Sequence, residues 1–310
     1  KYGAYVTGGS WSVWTSFDQL SRAGAAGRVA LIEEGARLLG VEPGQCVAEN
    51  SQVVCGNKQI SYADIVAKGQ LSRTFTDEQL PSLPLKAAKD RKLVGVDTLA
   101  LDVPAKSQGT AIYGIDATYE GMVYAKPLLP PTRYGSSVQS VDDSRAKSVQ
   151  GYQQSLVLDD PSNSVPGWVL VVADSHHAAQ RAAQVIDVKW QAGPTAAVQE
   201  ADLIARADEQ IASGEGALVL DDAGIDAAFD AAEQVLEARY TTSTALHFQL
   251  EPVNAIGLQN DGKWELHTGA QWQSLSIPVY AKALGEPEEN IVMRTHLLGG
   301  GFGRRLNGDY

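Results

Sequence analysis

The segment "HLLGGGFGRRL", residues 296–306, sets four glycines around one phenylalanine and follows them with two adjacent arginines. Glycine lacks a Cβ and reaches backbone conformations closed to other residues, so such a run neither continues a strand nor holds a helix. It has to be a connection whose backbone approaches something closely. Successive N–H groups in such a loop can form a concave nest for anionic oxygens. Arg304 and Arg305 would then clamp a phosphate, as guanidinium geometry allows. Phe302 needs something flat to pack on. The lysine and Ser/Thr of a P-loop are absent, and the glycine spacing is not that of a Rossmann turn. Composition alone supports equally a glycine-rich turn flanked by exposed arginines.

The formal net charge of -12 argues against a general nucleic-acid binder, which needs clustered Lys and Arg. Any anion site is therefore local. No apolar run reaches the roughly 18 residues of a membrane span, and no charged-then-apolar leader is evident. Starting at Lys1 without methionine, the chain reads as a processed or excised piece. Its two cysteines, Cys46 and Cys55, are too few for an iron-sulfur cluster or a four-thiolate zinc site. They flank "VAENSQVV", which predicts a hairpin turning at Glu49–Gln52. A cross-strand disulfide, implying an oxidising compartment, and two unrelated half-buried thiols both remain open.

Periodicity predicts a long helix in "SFDQLSRAGAAGRVALIEEGARLLG", opened by a Ser16/Gln19 capping box and stopped by Gly40. Gly24 and Gly27 inside it imply a second backbone packed on that face. "ISYADIVAKGQL" predicts a short helix, and the two prolines of "LPSLPLKAAKDRKLVG" an extended connector. "GTAIYGIDATYEGMVYAKPLLPP" predicts strands with turns at Gly114 and Gly121. "WVLVVADSHHAAQRAAQVIDVKW" reads strand, helix capped by Asp174 or Ser175, strand, without a dinucleotide fingerprint. Residues 191–234 are rich in Ala, Asp and Glu and read as a surface linker. Strands are expected at "QVLEARYTT" and in "NAIGLQNDGKWELHTG", the latter turning at Asn260–Gly262. A helix led by Pro278 and ended by Gly285 precedes a strand, "NIVMRTHLL", that runs into the glycine loop.

Chemistry-bearing residues are sparse. His176 and His177 open a short helix, and His247, His267 and His296 lie in strand-like stretches where histidine is usually structural. No protein ligand set for a metal is apparent. No serine sits in a nucleophile elbow, and neither cysteine has an evident histidine partner. Glu251, in "HFQLEPVNAIG", reads as a carboxylate accepting backbone N–H bonds rather than as a base.

Four segments, "VPAKSQGTAIYGID", "HFQLEPVNA", "HTGAQWQS" and "LGGGFGRR", together resemble the molybdenum-binding large subunit of the xanthine dehydrogenase and aldehyde oxidase family. The isoquinoline 1-oxidoreductase beta-subunit type looks the nearest branch. The resemblance implies a mixed α/β (α+β) fold in which molybdenum-cofactor-binding segments flank an α/β hammerhead domain. It divides the chain into a permuted cofactor-binding segment (1–100), the hammerhead (101–194), a linker (195–234) and the first part of a second molybdopterin-binding domain (235–310). By the same resemblance Gly300, Gly301, Phe302 and Gly303 touch the cofactor and Arg304 its phosphates. Gln271 matches the glutamine that hydrogen-bonds the metal centre, placing Gln271 and Phe302 at the reacting end. "TGGSWSVWTSFDQLSRAGAAGRVAL" resembles a segment found after the glycine loop in xanthine dehydrogenases. There Gly8 and Gly9 would face the substrate, and Gly9, Ser10, Trp11 and Ser12 the cofactor.

The implied activity is molybdenum-dependent oxidation of aldehydes, or hydroxylation of N-heteroaromatics, with oxygen from water. The implied cofactor is a molybdenum-molybdopterin cytosine dinucleotide. Electrons would leave through a partner subunit carrying [2Fe-2S] clusters, with a cytochrome c subunit as a further partner. The family's general-base glutamate and its Met-Gly-Gln-Gly segment have no counterpart here, so further sequence or another chain is expected to complete the site. A periplasmic location is expected, with the cytoplasm as the alternative. Two other readings remain: a cofactor scaffold or assembly subunit without turnover, and a plain nucleotide- or anion-binding module using the Gly-Arg loop.

Overall fold

Small and apolar residues at helical spacing build α1 (Ser12–Leu39), which ends where Gly40, at φ 67°, returns its N–H to the carbonyls of Ala36 and Arg37. The helix opens before the Ser16/Gln19 box. The Trp11 carbonyl accepts both the N–H and the hydroxyl of Thr15, at 3.0 and 2.7 Å, so residues 12–15 already wind helically. These elements come from a computed structural model that describes residues 6–220 and 222–310 and divides them into two compact units, 6–111 and 112–310.

In the first unit the C-terminal half of α1 packs on the antiparallel meander β1 (Val47–Glu49), β2 (Gln52–Cys55) and β3 (Lys58–Ser61). Asn50 and Ser51 both take positive φ, the two-residue turn that matches strand twist. Cys46 and Cys55 are joined in a disulfide across this hairpin, settling the open choice in favour of the bridge. Helix α2 (Tyr62–Lys68) is capped by Ser61 Oγ, which accepts from the Asp64 N–H at 3.0 Å. A connector without strands leads to α3 (Val103–Gln108). The core is Ala36, Val53 and Ile65 with the two half-cystines.

The close contact on α1 falls at Gly35, not at Gly24 or Gly27. A Cβ on Gly35 would meet Val53 and Ile65 at 3.0 Å, whereas nothing lies within 4 Å of one on Gly24 or Gly27. The residues of the helix that pack on the sheet core lie in its second half, and Gly24 and Gly27, nearer the N-terminus, are exposed. Beside Gly35, the buried Glu34 carboxylate accepts from Arg37 and, at 2.6 Å, from the Gln70 N–H. These bonds pull its pKa from 4.5 to about 2.

The second unit begins with β4 (Tyr124–Leu128), β5 (Ser137–Asp142), β6 (Tyr152–Val157) and β7 (Val169–Ala173). Strand β7 is a buried "VLVVA" run between β4 and β6, antiparallel to both. Helix α4 (His176–Ala183) follows, its first turn capped by Ser175 accepting from the Ala178 N–H. Strand β8 (Asp187–Gln191) then joins β5 in a separate two-stranded sheet. The strand–helix–strand reading holds, but the two strands serve different sheets. Of "GTAIYGIDATYEGMVYAKPLLPP" only Tyr124–Leu128 is a strand; Gly114 instead opens a single 3₁₀ turn.

Helices α5 (Glu200–Ser213) and α6 (Ile225–Asp230) have no buried residue. "QVLEARYTT" is not a strand: Val235, Leu236 and Tyr240 are exposed and no described strand pairs with it. Strands β9 (Ala255–Asn260) and β10 (Lys263–Thr268) form the expected hairpin, with Asp261 and Gly262 at positive φ. Helix α7 (Gln273–Leu284) ends at Gly285, as expected, but starts five residues before Pro278, which therefore lies inside it and forgoes one intrahelical bond. Strand β11 (Ile291–Thr295) returns parallel to β10, from Trp264↔Ile291 to Thr268↔Thr295. β10–α7–β11 is thus a crossover unit, and both segments at its carboxyl end, 269–272 and 296–303, leave the sheet together. Such an edge is where α/β sheets place ligands. The fold is mixed α/β, with small and mostly antiparallel sheets.

Two tests follow. Gly24→Ala and Gly27→Ala should each stabilise the first unit by about 0.5–1 kcal/mol, while Gly35→Ala should destabilise it, as read by chemical denaturation. Because the folded pKa of Glu34 is depressed, its contribution is complete above 4.5 and lost as pH falls toward about 2. Glu34→Gln should therefore lower Tm at neutral pH and flatten the fall in Tm across that window.

Candidate functional site

The glycine loop is held from below by one residue. Arg305 is fully buried, and its guanidinium donates through Nε to the Gly300 carbonyl (3.1 Å) and through Nη1 to the Gly269 carbonyl (3.3 Å). Through Nη2 it reaches the Glu251 carbonyl at 3.0 Å and Glu251 Oε2 at 2.9 Å. This corrects the expectation that Arg304 and Arg305 together clamp an anion. Arg305 faces inward because three backbone segments need a common donor, and a planar five-donor group supplies it.

Glu251 is the matching acceptor. Its Oε2 also takes the Gly299 N–H at 2.7 Å, and its Oε1 takes the Ile115 N–H and the Asn254 amide, each at 3.0 Å. Burial pushes this carboxyl up, but these donors and Arg305 outweigh it and hold the group below the usual carboxylate range. It is a structural carboxylate that accepts backbone N–H bonds, as the sequence reading expects, and not the base that an apolar setting alone would favour.

Gln271 sits directly beneath the loop. Its backbone N–H donates to the Arg305 carbonyl at 3.0 Å, and its side-chain Oε1 accepts from the N–H groups of Gly303 (3.1 Å) and Arg305 (3.2 Å). With the oxygen committed to backbone donors, whatever the amide nitrogen addresses must be an acceptor. The side chain is buried.

The glycines have separate reasons. A Cβ on Gly301 would meet Gln271 Oε1 at 2.6 Å, and one on Gly299 the Glu251 Cβ at 2.6 Å. Gly300 and Gly303, at φ 104° and 88°, occupy the left-handed region. Phe302 shares that region at φ 51° and is 68% exposed, its ring set over Gly300. Non-glycine residues held this way carry strain and concentrate at functional sites. The exposed aromatic plane fits a flat ligand, while the N–H groups of Gly299 and Gly303 turn inward to Glu251 and Gln271 and so form no outward nest. Arg304 is partly exposed and pairs with the buried Asp309 at 2.8 and 3.1 Å.

The remaining expected residues belong to the first unit. Gly9 and Ser10 take φ 54° and 57°, forming a turn closed by the Trp11 N–H on the Gly8 carbonyl at 3.0 Å. Trp11 stacks close to Gly9, and Ser12 is the first residue of α1; Gly9, Ser10, Trp11 and Ser12 are exposed. His176 and His177 are exposed at the start of α4, and His247 is exposed outside any strand. His267 and His296 are structural, with His267 Nδ1 3.2 Å from His296 Nε2 and 2.9 Å from the Tyr119 hydroxyl. Among the described residues no group of three or more His, Cys, Asp or Glu is placed to hold a metal, and no helix is long and apolar enough to cross a membrane. The reading of the sequence overlooked Asp309 and Arg133, which pair at 2.6 Å. Nothing in their local sequence marks them.

Replacing Glu251 by Gln keeps the acceptor for Gly299 but leaves the Arg305 charge buried without its counter-ion. The expected cost is about 3–5 kcal/mol, read by denaturant unfolding at pH 7, where the wild-type carboxylate is ionised.

A molybdopterin cofactor-binding domain model matches residues 206–310. The chain is 52% identical, over its whole length and 40% of the relative's, to the membrane-bound aldehyde dehydrogenase [pyrroloquinoline-quinone] of Gluconacetobacter polyoxogenes. It is 27% identical, over 98% of its length and 43% of the relative's, to the isoquinoline 1-oxidoreductase subunit beta of Brevundimonas diminuta. The aldehyde dehydrogenase is therefore much the more similar of the two, reversing the expected order of branches. The chain thus spans less than half the length of these curated relatives. Quinoline 2-oxidoreductase from Pseudomonas putida 86 shares the fold, with a TM-score of 0.53 at 20% identity over 71% of this chain and 32% of that one. Over the residues it spans, the chain belongs to the molybdopterin-binding subunits of the xanthine dehydrogenase and aldehyde oxidoreductase family.

Proposed function

We propose that the chain forms part of the large subunit of a molybdenum hydroxylase that oxidises aldehydes to carboxylic acids, N-heteroaromatic hydroxylation being the second substrate class. The observation that carries this reading is the Gln271 amide, fixed oxygen-first by two backbone N–H groups under an exposed, strained Phe302. That arrangement fixes a non-titrating amide in one orientation next to a surface suited to a planar ligand. The 52% relative, named an aldehyde dehydrogenase, supports the choice of substrate.

In this reading Gly300, Gly301, Phe302 and Gly303 hold the pterin of a molybdopterin cytosine dinucleotide, and Arg304 holds its phosphates. For Ser10, Trp11 and Ser12 as cofactor-facing residues, and Gly8 and Gly9 as substrate-facing ones, the support is the family resemblance of their segment alone. Residues 101–194 serve as the hammerhead domain. When bound, the molybdenum centre supplies the two-electron redox chemistry, with water as the oxygen source. The protein's own share is to orient the cofactor through the loop, to donate from Gln271 to an oxygen at the reacting end, and to keep Gln271 still through Arg305. The general base of this reading is supplied by further sequence or by another chain. Electrons leave to a [2Fe-2S] subunit and then to a cytochrome c. The Cys46–Cys55 disulfide supports a periplasmic setting.

Natively purified material should contain about one molybdenum per chain by plasma mass spectrometry and release CMP on acid treatment. Because the 52% relative carries pyrroloquinoline-quinone in its name, the same extract is assayed for that quinone. Quinone without molybdenum overturns the reading. In the loaded complex Gln271→Glu, which keeps the acceptor and removes the donor, should lower kcat for aldehyde-dependent dye reduction by about 10²-fold. Molybdenum content should be unchanged.

A further inference from the structure

The sequence suggests a two-arginine clamp at the glycine loop, and the structure removes Arg305 from it. A second guanidinium nevertheless stands beside Arg304. It belongs to Arg133, on the connection between β4 and β5, whose Nη1 donates to Asp309 Oδ2 at 2.6 Å. Arg304 donates to the same carboxylate, through Nη1 to Oδ1 at 2.8 Å and through Nη2 to Oδ2 at 3.1 Å.

The connection that carries Arg133 is pinned. The buried Thr132 and Ser136 hydroxyls bond each other at 2.8 Å, and Thr132 Oγ1 also takes the Gly193 N–H at 3.0 Å. Gly135 turns the chain at φ 75°. The Arg133 side chain is further fixed by Nε donating to the Tyr134 hydroxyl at 3.1 Å. It is thus preorganised, which lowers the ordering cost of binding.

Two cations share one anion here, leaving a positive surplus in a chain whose net charge is -12. The Asp309 side chain is 1% exposed, while those of Arg133 and Arg304 are 37% and 29% exposed. The carboxylate is therefore sealed beneath the two guanidiniums, and both reach solvent. Their remaining N–H groups have no acceptor among the described residues. Two guanidiniums held together by a buried carboxylate repel each other, and an external oxyanion relieves that repulsion with charge-assisted hydrogen bonds.

We propose that Arg133 is the second arm of an oxyanion clamp with Arg304, receiving a phosphate of the bound cofactor, and that Asp309 is the positioning residue that sets the two side by side. The proposal rests on the cofactor reading above.

The test titrates inorganic pyrophosphate calorimetrically into the full chain freed of cofactor, and measures molybdenum and released nucleotide in the natively purified material. Arg133→Gln should weaken pyrophosphate binding about tenfold or more, reduce its salt dependence and lower cofactor retention, with an unchanged melting curve. Arg133→Lys, which keeps charge but not the fork, should fall between the two and serves if the glutamine variant does not fold. Wild-type protein that binds no pyrophosphate, or variants that bind pyrophosphate and retain cofactor like the wild type, overturn the clamp. Arg133-dependent pyrophosphate binding in a protein that never carries molybdenum or nucleotide upholds the clamp and overturns the cofactor reading instead. A loaded protein indifferent to Arg133 does the reverse.

Discussion

The ion pair between Arg305 and Glu251, buried under the glycine loop, is the interaction on which the candidate site depends. Bringing two charges out of water is expensive, and their mutual attraction repays that cost only when the remaining donors and acceptors are satisfied. Here the carboxylate also takes the N–H groups of Ile115 and Gly299 and the Asn254 amide, and the guanidinium serves the carbonyls of residues 251, 269 and 300. Four stretches of chain distant in sequence converge on one pair. Its benefit is specificity of arrangement more than stability, since only one geometry satisfies all of them.

The other features of the site follow from that anchor. Arg305 fixes where the chain leaves the glycine loop, and its own backbone N–H holds the Gln271 oxygen. The loop then lies so close to Gln271 and Glu251 that positions 299 and 301 tolerate no side chain. Strain at Phe302 is supported by the same frame. The parallel β10–β11 pair aligns the two segments at one sheet edge, so that a modest antiparallel-rich fold still presents its loop and its glutamine together.

The first unit is organised differently. Its helix is held by small-residue contact at Gly35, by a disulfide across the facing hairpin and by a Glu34 carboxylate that ties the helix to the chain after α2. A bridge of that loop length constrains the unfolded chain by about 3 kcal/mol. The N-terminal part of α1, with Trp14 and Leu20 each about 70% exposed, contributes nothing to that core.

Local features were legible in the sequence because they depend on neighbours along the chain. The Asp261–Gly262 hairpin, the Gly40 and Gly285 helix stops, the Ser175 cap and the Cys46–Cys55 hairpin all rest on backbone preferences within a few residues. The motif set around Gln271 and the glycine loop was legible as a family resemblance, and Glu251 as a carboxylate that accepts backbone N–H bonds. The roles of Arg304 and Arg305 were not, because adjacent arginines are equivalent in sequence and only the packed backbone decides which points inward. Gly24 and Gly35 were likewise indistinguishable until the packing of the second half of α1 on its sheet chose one. Arg133 and Asp309, far apart in sequence, meet only because β4 and the loop after β11 end in the same place. Sequence determined the turns, the caps and the chemistry of the loop, since these are short-range. Which charges are buried, and which side chains share a carboxylate, was decided by tertiary structure, since burial belongs to the whole unit and not to any residue in it.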